Sequence, residues 1–414
     1  MAFQHGLSGL NASSKNLDVI GHNIANANTT GFKSSRAEFA DLVASSMGAG
    51  GGANYGIGVE VAAVAQQFSQ GNVTVTGNNL DVAINGNGFF KVQQADGSAA
   101  YTRAGNFKLD KTGDLVTNGG AQVMGFRVDP ATGVSTSEAQ PLSFPTGAPI
   151  QAKQTQSISA TLNLDARVVA ATSVTPNTPR PTYGTSVNVY DTQGVAVPVN
   201  LYFVKTATAN TWQVYDKLDN PSATPPVVAA ARGTITFDGN GKFASTNPTT
   251  LTTQVNPSIA NPNNPPASWD VTIDLKNATQ FGSKFAVADL SQDGYASGDL
   301  TSINISNDGM VMASYSNGVT RAEAQVALAN FRNPQGLLAV GGNNWVESFD
   351  SGPAVLGKPG DGNFGALRSG ALEDSNVDLT AELVNMMTAQ RAYQANAQTI
   401  KTQDQVMSTL VNLR

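Results

Sequence analysis

No cysteine occurs among the 414 residues, which excludes disulfides, thiol nucleophiles and thiolate metal sites. Histidine is nearly absent: only His5 and His22 are present. They lie near one end of the chain and too far apart in sequence to share a helix face at close range. A Ser/His/Asp triad or an imidazole metal centre therefore has little material to work with. Charge is scarce as well. Asp, Glu, Lys and Arg make up 13% of the chain, against roughly 25% in an ordinary soluble domain. The net charge of −6 and the lack of a basic cluster exclude a nucleic-acid partner. No run of about 18 apolar residues occurs, so no membrane insertion is expected. The opening MAFQHGLSGL has neither a basic nor an apolar leader region, so export through a cleaved signal peptide is not expected either.

The carboxylates do not compensate for these gaps. Asp289, Ser291, Asp293 and Gly294 fall at positions one, three, five and six of a calcium-loop template, but Leu300 stands where the bidentate Glu belongs. A plain turn accounts for them. The glycine pairs of NGNGFF and DGNGK lack the following helix and Lys-Ser/Thr of a phosphate cradle. Glu373 and Asp374 precede a helical pattern, where acidic side chains offset the positive end of the dipole. Neither an enzyme nor any cofactor is expected.

What is present sits at the two ends. From Leu383, positions three and four apart read Leu383, Met386, Gln390, Tyr393, Ala397, Ile400, Asp404, Met407 and Val411, a heptad pattern. Phe3, Leu7, Leu10, Leu17 and Ile24 follow the same spacing at the N-terminus. Each stripe needs a partner to be buried. The remaining faces of the C-terminal helix carry amides and hydroxyls such as Asn385, Gln394, Asn396 and Gln403. Neutral groups can be packed against protein on all sides without stranding a charge. Two readings stay open: a hairpin closing one domain, or tails completed only in an assembly of many copies.

Between the ends the pattern is β. Segments such as DVAINGNGFFKV and YTRAGNFKLD alternate apolar with polar residues and are punctuated by Asn-Gly and similar turns. Beyond Pro145, Pro-rich breaks at 176–181, 221–226 and 262–266 separate further strand-like runs, and from Gln292 the hairpin-rich pattern returns. The fold class is α+β, mostly β, with paired coiled-coil-type terminal helices and two nested all-β domains. The expected division is a helical part (1–28 with 372–414), a connecting segment (29–71 with 364–371), an inner β domain (72–145 with 290–363) and an inserted β domain (146–289). The glycine-rich stretch 48–58 is expected to be flexible by composition.

Long stretches of this sequence resemble a known family. LNASSKNLDVIGHNIANANTTGFKSSRAEF (10–39) and ALEDSNVDLTAELVNMMTAQRAYQANAQTIKTQDQVMSTLVNLR (371–414) are similar to the paired termini of the bacterial flagellar rod and hook axial proteins. GNGFFKV, YTRAGNFKLDKTGDLVTNGGAQVMG, QDGYASGDL and NFRNPQGL resemble the inner β domain of that family. Length and the single large insert resemble its hook-forming members. The resemblance implies a homopolymeric, extracellular helical tube that bends while transmitting torque. In it Phe3, Leu7, Leu10, Leu17, Ile24, Leu383, Met386, Tyr393, Ile400, Met407 and Val411 would be assembly contacts. Asn26, Asn28, Thr30, Gly31 and Phe32 match the family's signature turn, with Gly31 turning the backbone out of the first helix. Phe39 and Val43 resemble the family's export element, and one turn of an amphipathic helix is the alternative. Implied partners are a distal rod protein, hook cap, hook-length control protein, hook–filament junction protein and the flagellar export gate. A rod or junction member of the family, or a β-rich adhesin or tail-like binding module, are the alternatives the residues leave open.

Overall fold

The computed structural model describes residues 2–44, 55–129, 132–144, 147, 149–171, 183–218 and 229–412. The chain divides into two compact units. Unit 1 comprises 1–147, 302–314 and 320–414, and unit 2 comprises 148–301 with 315–319. Two α-helices, α1 (Ala2–Ala25) and α2 (Leu379–Asn412), lie at the chain ends, and nearly all other regular structure is strand.

In unit 1, the strand before the insert and the strand after it share one sheet. Its main path runs Leu300–Ile305, Met310–Tyr315, Thr320–Val326, Gln122–Val128, Phe89–Gln93, Ala99–Thr102, Asn344–Val346 and Leu338–Gly341. Register is fixed by pairs such as Gln325 opposite Phe126 and Trp345 opposite Tyr101. Phe68, Phe89, Tyr101, Phe331 and Trp345 meet edge to face, with ring centroids 4.8–5.8 Å apart. That geometry places ring edges on the electron-rich faces.

Unit 2 holds a five-stranded sheet from Tyr183–Tyr190 to Phe243–Asn247 and a four-stranded one. The second is ordered Leu251–Val255, Trp269–Asp274, Ser157–Asn163, Ala286–Gln292. One core serves both: Leu201, Phe203, Trp212 and Ile235 from the first pack with Ile158, Leu162, Val271 and Ile273 from the second. Strict alternation puts Val197, Val199, Leu201 and Phe203 inward along one strand. The Trp212 indole N–H donates to Gln280 Oε1 at 3.1 Å, so its one polar atom is satisfied in the core.

Two boundaries differ from those expected of the sequence. The insert was expected to end at 289, but the returning chain stays with unit 2 through Thr301. Ala286–Gln292 pairs antiparallel with Ser157–Asn163, and Asp293 Oδ1 accepts the backbone N–H groups of Gln156 and Ser157, both at 2.9 Å. Ala286, Val287 and Ala288 run together and the strand is mostly exposed, so it lacks the alternation that marks a half-buried strand. Asp289 and Ser291 thus lie in a strand rather than a cation loop. Among the described residues no group of three His, Cys, Asp or Glu could hold a metal.

The second difference is the connecting segment. Ser35–Ala44 (β1) and Tyr55–Gln66 (β2) form a long antiparallel hairpin with bulges at Glu38/Phe39 and Leu42/Val43. The tip, including residues 48–54 of the glycine-rich stretch, lies outside the described residues, as do Pro145 and the Pro-rich breaks 176–181 and 221–226. Phe39 and Val43 sit opposite Val61 and Gly56, which replaces the helical-turn alternative with a strand.

Candidate assembly surface

The two chain ends meet first at a buried ion cluster. Glu373 closes the short strand Ala371–Glu373, paired with Val73–Val75. Its Oε1 accepts Lys33 Nζ at 2.6 Å and the Gly71 N–H at 2.9 Å, and its Oε2 accepts Arg103 Nη1 at 3.2 Å. Both Lys33 and Glu373 side chains are wholly buried, and Arg103 is 4% exposed. Lys33 also donates to Ser69 O, and Arg103 to Gly86 O while lying over the Phe89 ring. Burial pulls the Lys33 ammonium and the Arg103 guanidinium below their ordinary ranges, and Glu373 opposes that pull in both. Glu373 is therefore no helix-start residue. That role falls to Asp378, whose Oδ1 accepts the N–H groups of Thr380 and Ala381.

Around this cluster, amides tie the ends together. Asn376 accepts the Ser34 N–H and donates to Gln67 O, each at 2.7 Å. Asn23 exchanges two hydrogen bonds with the backbone of Ser35, both 2.8 Å. Within the signature turn, Gly31 has φ +69° and an added Cβ would stand 2.6 Å from Ala104 N, so both conformation and space require glycine. The Gly31 N–H donates to Glu373 O. Phe32 is buried against His22, with ring centroids 5.5 Å apart. The Asn26 side chain reaches back to His22 O and accepts from Thr29, Thr30 O accepts from Asn343, and Asn28 is exposed.

Beyond the clamp, α1 and α2 run antiparallel. Asn23 lies near Glu382, Ser13 near Asn396, and Gly6 near Ile400. The seam is made of small and polar residues. A Cβ on Gly9 would come within 2.9 Å of Asn396 Nδ2, and one on Gly6 within 3.0 Å of Ile400 Cγ1. On α1 the buried positions are Gly6, Ala12, Ile20 and Asn23. On α2 Ala389 is buried and Glu382, Met386, Asn396, Ala397, Ile400 and Gln403 are half-buried.

On α1 the contact is consequently displaced by one residue from the expected stripe, a rotation of about 100°. On α2 it keeps Met386, Ala397 and Ile400, while Glu382, Ala389 and Gln403 take the places expected of Leu383, Gln390 and Asp404. Met386 and Ile400 fall on the actual contact, and Tyr393 lies at its border, 37% exposed. Leu383 and Met407 do not: they are 47% and 61% exposed, alongside exposed Leu379, Val384, Met387 and Val406. Leu7 is exposed too, while Leu10, Leu17 and Ile24 are half-buried. The side chains of Phe3, Val43 and Val411 lie outside the described residues. Along α2 the exposed large apolar side chains stand beside exposed polar residues. Lys33, Arg103 and Glu373 are site residues that the sequence pattern does not single out. For Lys33 and Arg103 the one signal is a charge following uncharged neighbours, in GFK and TRAG, whereas Glu373 stands beside Asp374.

Fold and site define a protein of two β units whose chain ends are clamped together and continue as an antiparallel helix pair. Four protein-family models match it. They are "Flagella basal body rod protein" over 3–33, "Flagellar hook protein FlgE/F/G D1 domain" over 83–166, "Flagellar basal body protein FlaE D2 domain" over 163–295, and "Flagellar basal body rod FlgEFG protein C-terminal" over 368–413. The chain belongs to the flagellar hook protein family. It is 45% identical over 426 residues to the flagellar hook protein FlgE of Salmonella typhimurium, and 44% over 423 residues to that of Escherichia coli, with 100% of each chain covered. The FlgE of Treponema pallidum is 33% identical over 462 residues, covering 99% of this chain and 98% of its own. The fold is shared with the solved Helicobacter pylori flagellar hook protein FlgE2, at TM-score 0.51 and 16% identity over 72% of this chain and 100% of that one.

Proposed function

We propose that this chain is a structural subunit of the bacterial flagellar hook, joining copies of itself through its terminal helices into a helical tube. The observation that carries the reading is the exposure of Leu383, Val384, Met387 and Met407 on α2, away from a contact with α1 that closes through Gly6 and Gly9. A monomer gains nothing from that arrangement. A polymer does, since each apolar residue removed from water contributes about 1.5–3 kcal/mol when fully buried. Contacts between different surface patches of identical copies do not close on themselves and generate tubes.

In this reading the helices hold copies together, pairing in coiled-coil fashion with those of neighbours, and the tube bends as it transmits torque. The sparse charge of unit 2 leaves few ion pairs to lock neighbouring copies against sliding. The partners are those of hook growth: distal rod, cap, length-control and junction proteins and the export gate, with the subunit ending outside the cell. No helix among the described residues is long and apolar enough to cross a membrane. An export role for Phe39 and Val43 requires an unfolded chain, because the backbone of both is committed to the β1–β2 hairpin.

The test is a pair of surface charges. Leu383→Asp with Met387→Asp leaves the monomer folded by circular dichroism and abolishes tubes in negative-stain microscopy of concentrated protein. Tubes forming at the wild-type concentration would refute the proposal.

A further inference from the structure

The buried cluster holds two cations and one anion, and the three come from distant parts of the chain. Lys33 follows the first helix, Arg103 sits in the β region, and Glu373 arrives 340 residues after Lys33. Without Glu373 the N-terminal portion would bring an ammonium and a guanidinium into one dry site with only carbonyl oxygens, Ser69 O and Gly86 O, to meet them. Uncompensated buried charge is among the most costly defects a fold can carry.

We propose that Glu373 is a closing lock: the turn out of α1 and the antiparallel helix pair form only when the C-terminal strand delivers its carboxylate between Lys33 and Arg103. Glu373 is thus a positioning residue. Its backbone takes part as well, since Glu373 O accepts the Gly31 N–H, so one residue fixes both the charge and the direction of the chain leaving α1. The consequence is that a chain with only one end in place cannot present a helix pair. That consequence rests on the assembly reading above, whereas the lock itself is a property of the monomer and is tested there.

An electrostatic lock has an asymmetric signature. The cluster carries one positive charge in excess, so losing one cation leaves a neutral Arg103–Glu373 pair, while losing the anion leaves two bare cations. Hydrogen exchange of the full-length monomer at the amides of 20–35 and 371–385 reads the difference. Glu373→Gln is expected to raise exchange about a hundredfold relative to wild type at pH 7. Lys33→Met is expected to stay within about threefold, because Gly71 N–H still satisfies Oε1.

A second readout separates charge from packing. The charged groups facing Lys33 are Glu373 and Arg103. In Glu373→Gln, raising the pH removes the Lys33 proton before that of Arg103, so the ratio to wild type should shrink as the pH rises. In the packing control Phe32→Ala the ratio should stay constant. A Glu373→Gln chain that fails to fold while Lys33→Met folds is the same asymmetry at its extreme. Equal damage from both substitutions, wild-type exchange in Glu373→Gln, or a ratio independent of pH would overturn the lock. None of these outcomes depends on polymerisation, so the lock can fail while the assembly reading stands, and the reverse.

Discussion

The helix pair of unit 1 and the core of unit 2 bury side chains by opposite rules. In the core of unit 2 Trp212, Phe203 and Leu201 are fully enclosed, and the polar atom of Trp212 has its partner in Gln280. In the helix pair glycines, alanines and asparagine share the interface with Ile20, Met386 and Ile400, while Leu7, Leu379, Leu383, Met387 and Met407 face outward. The core of unit 2 is complete within a single copy. The helix pair is not, because its attractive surface is on the side that its own chain does not cover. In the proposed assembly the exposed residues of these helices are the means of association.

The sharpest way to break that comparison is to truncate one large side chain in each region. Trp212→Ala removes a fully buried ring and strands Gln280, and should cost about 3–5 kcal/mol in the urea unfolding of unit 2, followed by far-ultraviolet circular dichroism. Leu383→Ala, on the outward face, should change monomer stability by less than about 0.5 kcal/mol while raising the concentration needed for tube formation. If Leu383→Ala weakens the monomer as Trp212→Ala does, the two regions obey one rule and the contrast is lost.

The same contrast explains what is legible in the sequence alone. Helix existence is legible because heptad spacing survives in both tails, and the hairpins because Asn-Gly and Asp-Gly turns bracket alternating strands. The face of each helix is not legible, since counting large apolar residues selects the stripe of greatest hydrophobicity. Here that stripe lies one residue away from the contact along α1 and coincides with only part of it along α2. Close packing through Gly6 and Gly9 leaves no hydrophobic signal to find. The β1–β2 hairpin escapes notice because its two faces are both mixed, as in Arg36, Glu38 and Ala40 against Ala37, Phe39 and Asp41. Glu373 misleads for a different reason: an acid just before a helix has a sufficient local explanation, and its partners lie 270 and 340 residues away.

A smaller effect tests the one-residue displacement of the seam directly. Gly6→Leu places a bulky side chain against Ile400, whose Cγ1 already lies 3.0 Å from where a Cβ would stand. Overpacking of this kind costs about 1–3 kcal/mol, only partly offset by the roughly 1 kcal/mol gained on removing a helical glycine. Protease sensitivity of the chain ends should rise. The neighbouring Leu7→Ala faces outward and should leave protease sensitivity of the monomer unchanged. Reversed results would place the seam where hydrophobicity alone puts it.

The smallest effect separates the units by pH. In unit 1 burial, reinforced by the charge of Glu347, pushes the Tyr101 phenol up to about 12, from an ordinary 10.0. A folded-state value above the unfolded one means that the fold holds the proton more tightly. The contribution is therefore complete below pH 10 and is lost as the pH rises from 10 to 12. In unit 2 hydrogen bonds from Arg167, at 2.9 and 2.8 Å, hold the Asp165 carboxyl down to about 2, from 3.8. The sign is opposite: that contribution is complete above pH 3.8 and is lost as the pH falls toward 2. Tyr101→Phe should flatten the alkaline slope of the unit 1 transition alone, and Asp165→Asn the acid slope of the unit 2 transition alone. Each urea midpoint, followed against pH, gives the answer. A response in the other unit would mean that the two do not unfold separately, and that the core of unit 2 depends on unit 1 after all.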